Sequence, residues 1–227
     1  MLEWPPLKTT LLVPTMNEIA GMREVMPRVK REWVDEILVV DGGTDGSYEY
    51  ALAHGMRALK QKAPGLVAAY REGVAAALGD VIITFSPDGN SVPELIPALV
   101  DKMRQGYDMV IASRYLPGAK SEDDDRVTAF GNWLFTKMIN VVFGGDLTDT
   151  LVMMRAWRKE LFADIHFRVE RAGTEPHICI LALKKGLKVG EIPGDEPARI
   201  GGIRKMSPFL NGTSILLTIV MEYFAKD

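Results

Sequence analysis

The stretch Ser86-Pro87-Asp88-Gly89-Asn90 sets a carboxylate and a side-chain amide oxygen two positions apart in one turn. A hard divalent cation such as Mg²⁺ or Mn²⁺ takes oxygen ligands. It often draws only one or two carboxylates from the protein and completes its shell with phosphates and water. Asp88 and Asn90 are spaced to share such an ion, and Ser86 could add a hydroxyl or hold a ligating water. The same residues also make an ordinary Asp-Gly turn. In Asp41-Gly42-Gly43 a carboxylate precedes glycines that permit close backbone approach, so Asp41 could accept a hydrogen bond from a base or a ribose. Here too a plain turn is the alternative. Arg199-Ile200-Gly201-Gly202-Ile203-Arg204-Lys205 places three cations around two glycines. Such a segment suits phosphates, which Arg and Lys neutralise and orient, and equally suits a solvated loop.

Bringing these segments together requires a particular scaffold. Short apolar runs at Thr10–Val13, Glu36–Val40, Met56–Gln61, Val81–Phe85, Met109–Ser113 and Lys188–Ile192 alternate with segments of helical length. Helices are expected over Ile19–Arg31, with Asn17 as cap and Pro27 inside, and over Ser47–His54, Leu66–Leu78 and Pro93–Arg104. Further helices are expected over Val127–Phe143, Glu175–Lys185 and Pro208–Phe224. Continuous Val/Ile/Leu runs are the mark of strands buried on both faces of a parallel sheet. Strand–helix alternation implies right-handed crossovers and an open α/β sheet flanked by helices. In such sheets the site lies beyond the carboxyl ends of the strands. Pro14-Thr15-Met16-Asn17-Glu18, Asp41-Gly42-Gly43, the Asp88 loop and Arg114 each follow a strand, so one polar rim is expected to collect them.

Composition limits what such a rim serves. With 227 residues, one domain is expected. The net charge of −3, with Lys and Arg scattered, argues against nucleic acid as partner. Cys179 is the single cysteine, so no internal disulfide forms and a reducing compartment fits. The opening MLEWPPLKTT has no apolar signal core. No run approaches the roughly 18–20 apolar residues that span a bilayer, and Ile215–Met221 reads as core packing or an interfacial helix. The first strand is followed by no G-x-G-x-x-G, and no phosphate-loop G-x-x-x-x-G-K-[ST] occurs. The histidines at 54, 166 and 177 do not form a metal pair by spacing, and the acidic run at 122–125 reads as a solvated loop.

Six segments in one order resemble a known family. VPTMNE (13–18), VVDGGTDGS (39–47), PGLVAAYREGVAAALGD (64–80), SPDGNSVPE (86–94), IASRY (111–115) and LTDTLVMMRAWRKEL (147–161) are similar to the motifs of family-2 glycosyltransferases of the GT-A fold. The branch resembled is that of dolichol-phosphate-mannose synthase. Three features depart from it. Ser86 stands where the D-x-D motif has its first Asp, the Asp41 loop is one residue shorter, and Met153-Met154 replaces the usual G-F.

The resemblance implies a single GT-A domain over 1–227, with a nucleotide-binding half (1–115) and an acceptor-side half (116–227) that ends in an apolar helix. It implies a metal-dependent, inverting transfer of a hexose from a nucleoside diphosphate sugar, with Mg²⁺ or Mn²⁺ as cofactor. Pro14, Thr15, Glu18 and Asp41 would hold the nucleoside, Asp88 and Asn90 the metal, and Arg199, Arg204 and Lys205 the phosphates. A polyprenyl phosphate acceptor is favoured, with Arg114 and Arg126 as its anchors, at the inner face of a membrane in the cytoplasm. For a hydroxyl acceptor on a glycan or small molecule, as in cell-envelope polysaccharide synthesis, Glu175 would be the base; as a first-turn helix residue it also suits the helix dipole. The loss of the first Asp keeps open a domain that binds nucleotide without transfer. Homo-oligomers are compatible with all of these.

Overall fold

The computed structural model describes residues 7–163, 173–200 and 208–225. The apolar runs form strands β1 (Thr9–Thr15), β2 (Glu36–Asp41), β3 (Arg57–Lys60), β4 (Val81–Thr84), β5 (Met109–Ser113) and β7 (Val189–Pro193), and Arg155–Arg158 adds β6. The helices are α1 (Ile19–Val25), α2 (Ser47–Ala53), α3 (Leu66–Ala76), α4 (Ile96–Arg104), α5 (Arg126–Phe143), α6 (Lys159–Ala163), α7 (Thr174–Lys184) and α8 (Pro208–Phe224).

One seven-stranded sheet runs in the order β3-β2-β1-β4-β6-β5-β7. β1 pairs in parallel with β2 and with β4, β2 with β3, and β5 with β7. β6 lies antiparallel between β4 and β5. This strand was not expected from the sequence. RAWR is four residues long with a cation at each end and only two apolar residues between, so it lacks the continuous apolar signal of its neighbours. Its insertion leaves β4 and β5 pointing the same way. The carboxyl ends of β1, β2, β4 and β5 therefore share one edge, as the alternation pattern requires.

The strands are buried because helices cover both faces. Leu11, Leu12, Leu38, Val39, Ile82, Ile83, Val110 and Ile111 are all shielded from solvent in one core. The helix expected over Ile19–Arg31 is shorter. α1 stops at Val25, and a single 3₁₀ turn carries Pro27 in its first positions, because proline cannot donate the amide an α-helix needs. Asn17 is not the cap. It takes a left-handed φ of 58°, and Glu18 flanks the helix instead. α5, α7 and α8 pack on one another around Ile139, Ile180, Ile215 and Ile219, a small cluster apart from the main core. Buried His177 of α7 meets Glu222 of α8 at 3.0 Å, and Lys184 reaches the same carboxylate.

Candidate active site

At the end of β2 the Asp41 carboxylate is almost fully buried and accepts three hydrogen bonds. Oδ1 accepts from the Thr15 hydroxyl at 2.8 Å and from the Gly43 amide at 3.1 Å, and Oδ2 takes the Lys60 ammonium at 2.7 Å. Thr15 ends β1 beside Asp41 in the parallel register, so the contact follows from the pairing. Lys60 ends the edge strand β3 opposite Asp41 and also lies over the Tyr48 ring. Nothing in the sequence marked Lys60, because only strand pairing brings position 60 to position 41. The first loop is folded against the second: Asn17 Oδ1 accepts the Thr44 amide, and the Ile19 amide donates to Asp45. Pro14 and Glu18 are half-buried in this wall.

The Asp88 loop is held from two sides. On one side α1 comes so close that a side chain at Gly21 would strike Pro87 O at 2.3 Å. On the other lies the segment after β7. The Ile200 amide donates to Asp88 O at 2.6 Å, and Asn90 Nδ2 donates to Pro197 O at 2.9 Å. Gly89 has a φ of +100°, and a Cβ there would meet Ile200. The turn therefore needs glycine twice over, for its backbone angle and for this contact. Asp88 itself is only 4% exposed. Its Oδ1 accepts the Asn90 amide, and its Oδ2 lies 2.6 Å from Arg199 Nη1. Asp88 and Arg199, expected in one site from the sequence, are brought together here. Arg204 and Lys205 lie outside the described residues.

Among the described residues no group of three or more His, Cys, Asp or Glu side chains is arranged to hold a metal ion. Asp88 nevertheless suits one that arrives with its own oxygens. It is a single buried carboxylate already balancing a cation, and Asn90, whose Nδ2 donates to Pro197, would offer an ion its Oδ1.

The two cations expected to anchor an acceptor differ sharply. Arg126 heads α5 and is exposed. Arg114, at the end of β5, is buried under three carboxylates. Nε and Nη2 grip Asp149 at 2.7 and 3.0 Å, and Nη1 reaches Glu196 at 3.1 Å and Asp124 at 3.4 Å. Burial works to raise Asp149, but the charge and hydrogen bonds of Arg114 carry it below the usual carboxylate range. Burial keeps Glu196 above that range in spite of Arg114. Asp124 also binds the Tyr115 hydroxyl and Asn132 of α5, while Ser121 donates to Glu196 at 2.6 Å. The network ties β5, the 121–125 turn and the segment after β7 into one wall. Asp149 and Glu196 carry no sequence signal for this role, since their partner is 35 and 82 positions away.

Glu175 is turned inward. Its Oε1 accepts from the fully buried Tyr70 hydroxyl of α3 at 3.0 Å, and burial pushes the carboxyl above its ordinary range, against the nearby Arg155 charge. Arg155 is completely buried and donates to the carbonyls of Glu175, Thr150 and Val152. It fastens the start of β6 to α7.

A family model described as "Glycosyl transferase family 2" matches residues 10–165. A dolichyl-phosphate hexose transferase of Haloferax volcanii is 30% identical over 92% of this chain and 91% of its own. A polyprenol monophosphomannose synthase of Mycolicibacterium smegmatis is 29% identical over 89% of this chain and 82% of its own. Among solved structures, glucosyl-3-phosphoglycerate synthase of Mycobacterium tuberculosis, in complex with Mn²⁺, UDP-glucose and phosphoglyceric acid, superposes with a TM-score of 0.78. It is 20% identical and covers 98% of this chain and 81% of its own. That likeness extends to the fold.

Proposed function

The chain belongs to glycosyl transferase family 2, and we propose that it transfers a hexose from a nucleoside diphosphate sugar to a polyprenyl phosphate with inversion at the anomeric carbon. The observation that carries this reading is the shared rim. Thr15, Asp41 and Asp88 end or follow the adjacent parallel strands β1, β2 and β4, with Arg199 lying across Asp88. Asp41 and Lys60 present a hydrogen-bonding wall to the nucleoside, with Pro14, Thr15 and Glu18 shaping its other side. Asp88 and Asn90 would hold Mg²⁺ or Mn²⁺, which supplies Lewis-acid stabilisation of charge on the diphosphate. Arg199, with Arg204 and Lys205 from the adjoining sequence, adds positive charge to the same leaving group. In the transfer the anomeric carbon–oxygen bond to the diphosphate breaks with its electron pair leaving on the diphosphate. An acceptor oxygen bonds the carbon from the opposite face.

A phosphate oxygen is already anionic, so this acceptor needs no base. The acceptor-side cations have unequal tasks. Arg126 is exposed and could meet a phosphate directly, while Arg114 would first have to give up carboxylates and instead supports the wall behind it. For a hydroxyl acceptor, Glu175 would serve as base only after its Tyr70 bond opens.

The surface favours a lipid-borne acceptor. Of sixteen exposed large hydrophobic side chains among the described residues, thirteen lie on α5 and α8, including Phe130, Trp133, Leu217 and Phe224. Neither helix exposes a carboxylate, and α5 exposes Arg126 and Lys137. An apolar face with cations beside it is what lies on an anionic bilayer. No described helix is long and apolar enough to cross one, and this exposed apolar face carries the reading of peripheral attachment, at a cytoplasmic face. The test has two steps. Calorimetry with UDP, GDP, dTDP and CDP, each with Mn²⁺ and with EDTA, is expected to show metal-dependent binding of one nucleotide. The matching labelled sugar is then offered with a short-chain polyprenyl phosphate or the corresponding polyprenol. Transfer to the phosphate alone supports the reading. Transfer to the alcohol moves the function to hydroxyl acceptors and makes Glu175 the base, and absence of nucleotide binding removes the enzyme reading.

A further inference from the structure

A metal site with one carboxylate has an electrostatic problem before its ligand arrives. Asp88 is almost buried, and a buried carboxylate without a counter-charge is strongly disfavoured. Here the counter-charge is a side chain: Arg199 Nη1 stands 2.6 Å from Asp88 Oδ2. The contact is built into the fold. The amide of the next residue, Ile200, donates to the Asp88 carbonyl, and Pro197 accepts from Asn90, the other residue placed in the metal's shell. Glu196, one position before Pro197, is gripped by Arg114 and Ser121. The stretch 196–200 is thus clamped at one end to the acceptor-side wall and laid at the other across the Asp88 loop. Ser86, where a second carboxylate would allow both a guanidinium and a metal ion to be neutralised, adds no charge.

We propose that Arg199 is a resident counter-cation for Asp88, a positioning residue that a divalent ion must displace. The metal ion alone competes with a tethered guanidinium for one carboxylate. A nucleoside diphosphate changes the balance, because its phosphates give Arg199 a new anionic partner and bring further oxygens to the metal. Metal and nucleotide therefore bind as a pair, each strengthening the other, as linkage requires. This rests on the reading of Asp88 as a metal ligand given above.

The experiment is titration of the whole chain with Mn²⁺ alone, counting free ion by electron paramagnetic resonance, for wild type, R199Q, R199K and D88N. The titration is repeated with each of UDP, GDP, dTDP and CDP. R199Q is expected to bind Mn²⁺ without nucleotide about 10-fold more tightly than wild type, the order of a charge-assisted contact removed from competition. R199K, which keeps the positive charge, is expected to stay near wild type, and the tightening by nucleotide is expected to be smaller in R199Q. If R199Q binds Mn²⁺ no better than wild type, Arg199 does not occupy the ion's place. If R199Q and R199K gain equally, loosening of the 196–200 stretch rather than loss of charge is responsible, and the proposal fails. The underlying metal reading fails separately, when D88N matches wild type with every nucleotide.

Discussion

Along β1, Leu11, Leu12 and Val13 are wholly buried, whereas α8, equally apolar in sequence, leaves Leu216, Leu217, Val220 and Phe224 in solvent. The strand has helices over both faces of its sheet. α8 turns Ile215 and Ile219 onto α5 and α7, and among the described residues no further layer covers its outer side. Charges follow a parallel contrast. At the end of β2, buried Asp41 meets a half-exposed Lys60. At the end of β5, Arg114 is buried beneath Asp149, Glu196 and Asp124. Similar residue types thus do different work according to what stacks on them. The half of the chain through β3 keeps an ionic partner within reach of solvent, and the half after β5 locks its ions away and leaves apolar surface outside.

The largest effects should come from the buried members of each pair. Arg114→Ala strands three carboxylates and is expected to cost about 3–5 kcal/mol in urea unfolding. Lys60→Ala leaves buried Asp41 with only the Thr15 hydroxyl and the Gly43 amide, but opens it to water from the half-exposed Lys60 side, and should cost less, about 1–3 kcal/mol. Equal costs would erase the charge contrast. Leu12→Ala should cost about 2–5 kcal/mol, against about 0.5 kcal/mol or less for Leu217→Ser. A large cost at Leu217 that depends on protein concentration would mean that a second copy covers α8 in solution.

Asp88→Asn should leave the fold intact and lower transfer about 10²–10³-fold, the scale of a lost electrostatic contact to a developing charge. Leu217→Glu combined with Phe224→Glu should weaken binding to vesicles containing anionic lipid by about 10-fold or more, read by co-sedimentation. An unchanged partition would detach the apolar face from the membrane.

The last comparison concerns pH, where the effect at Glu175 is the smallest. Glu175 is raised by burial, so the folded state holds its proton more tightly than the unfolded chain does. That contribution to stability is full below the ordinary glutamate range and fades as pH rises through the raised value. Glu175→Gln, which still offers Tyr70 an acceptor oxygen, should therefore unfold at higher urea than wild type at pH 8 and show no such gain at pH 4. Asp149 has the opposite sign. Its value is lowered, so its stabilisation is present at neutral pH and is lost as pH falls below the ordinary aspartate range. Asp149→Asn should accordingly destabilise at pH 7 and converge on wild type in acid.

The amino-acid order by itself determined the alternating strands and helices and the edge on which Asp41, Asp88 and Arg114 would gather, because apolar periodicity and turn chemistry are local, and six motif segments in one order carried the resemblance to the family. The helix expected through Arg31 was too long, since α1 ends at Val25 and Pro27 falls in the 3₁₀ turn that follows. Tertiary structure alone decided β6, whose four residues are a strand only because β4 and β5 leave a place between them. It also decided which charges meet: Lys60 with Asp41, Arg199 with Asp88, and Arg114 with carboxylates from three separate segments. A guanidinium reads the same in sequence whether it waits for a phosphate or is already neutralised. Its partner is fixed by chain crossings tens of residues away, and electrostatic energy depends on that distance and on burial, neither of which a linear sequence contains.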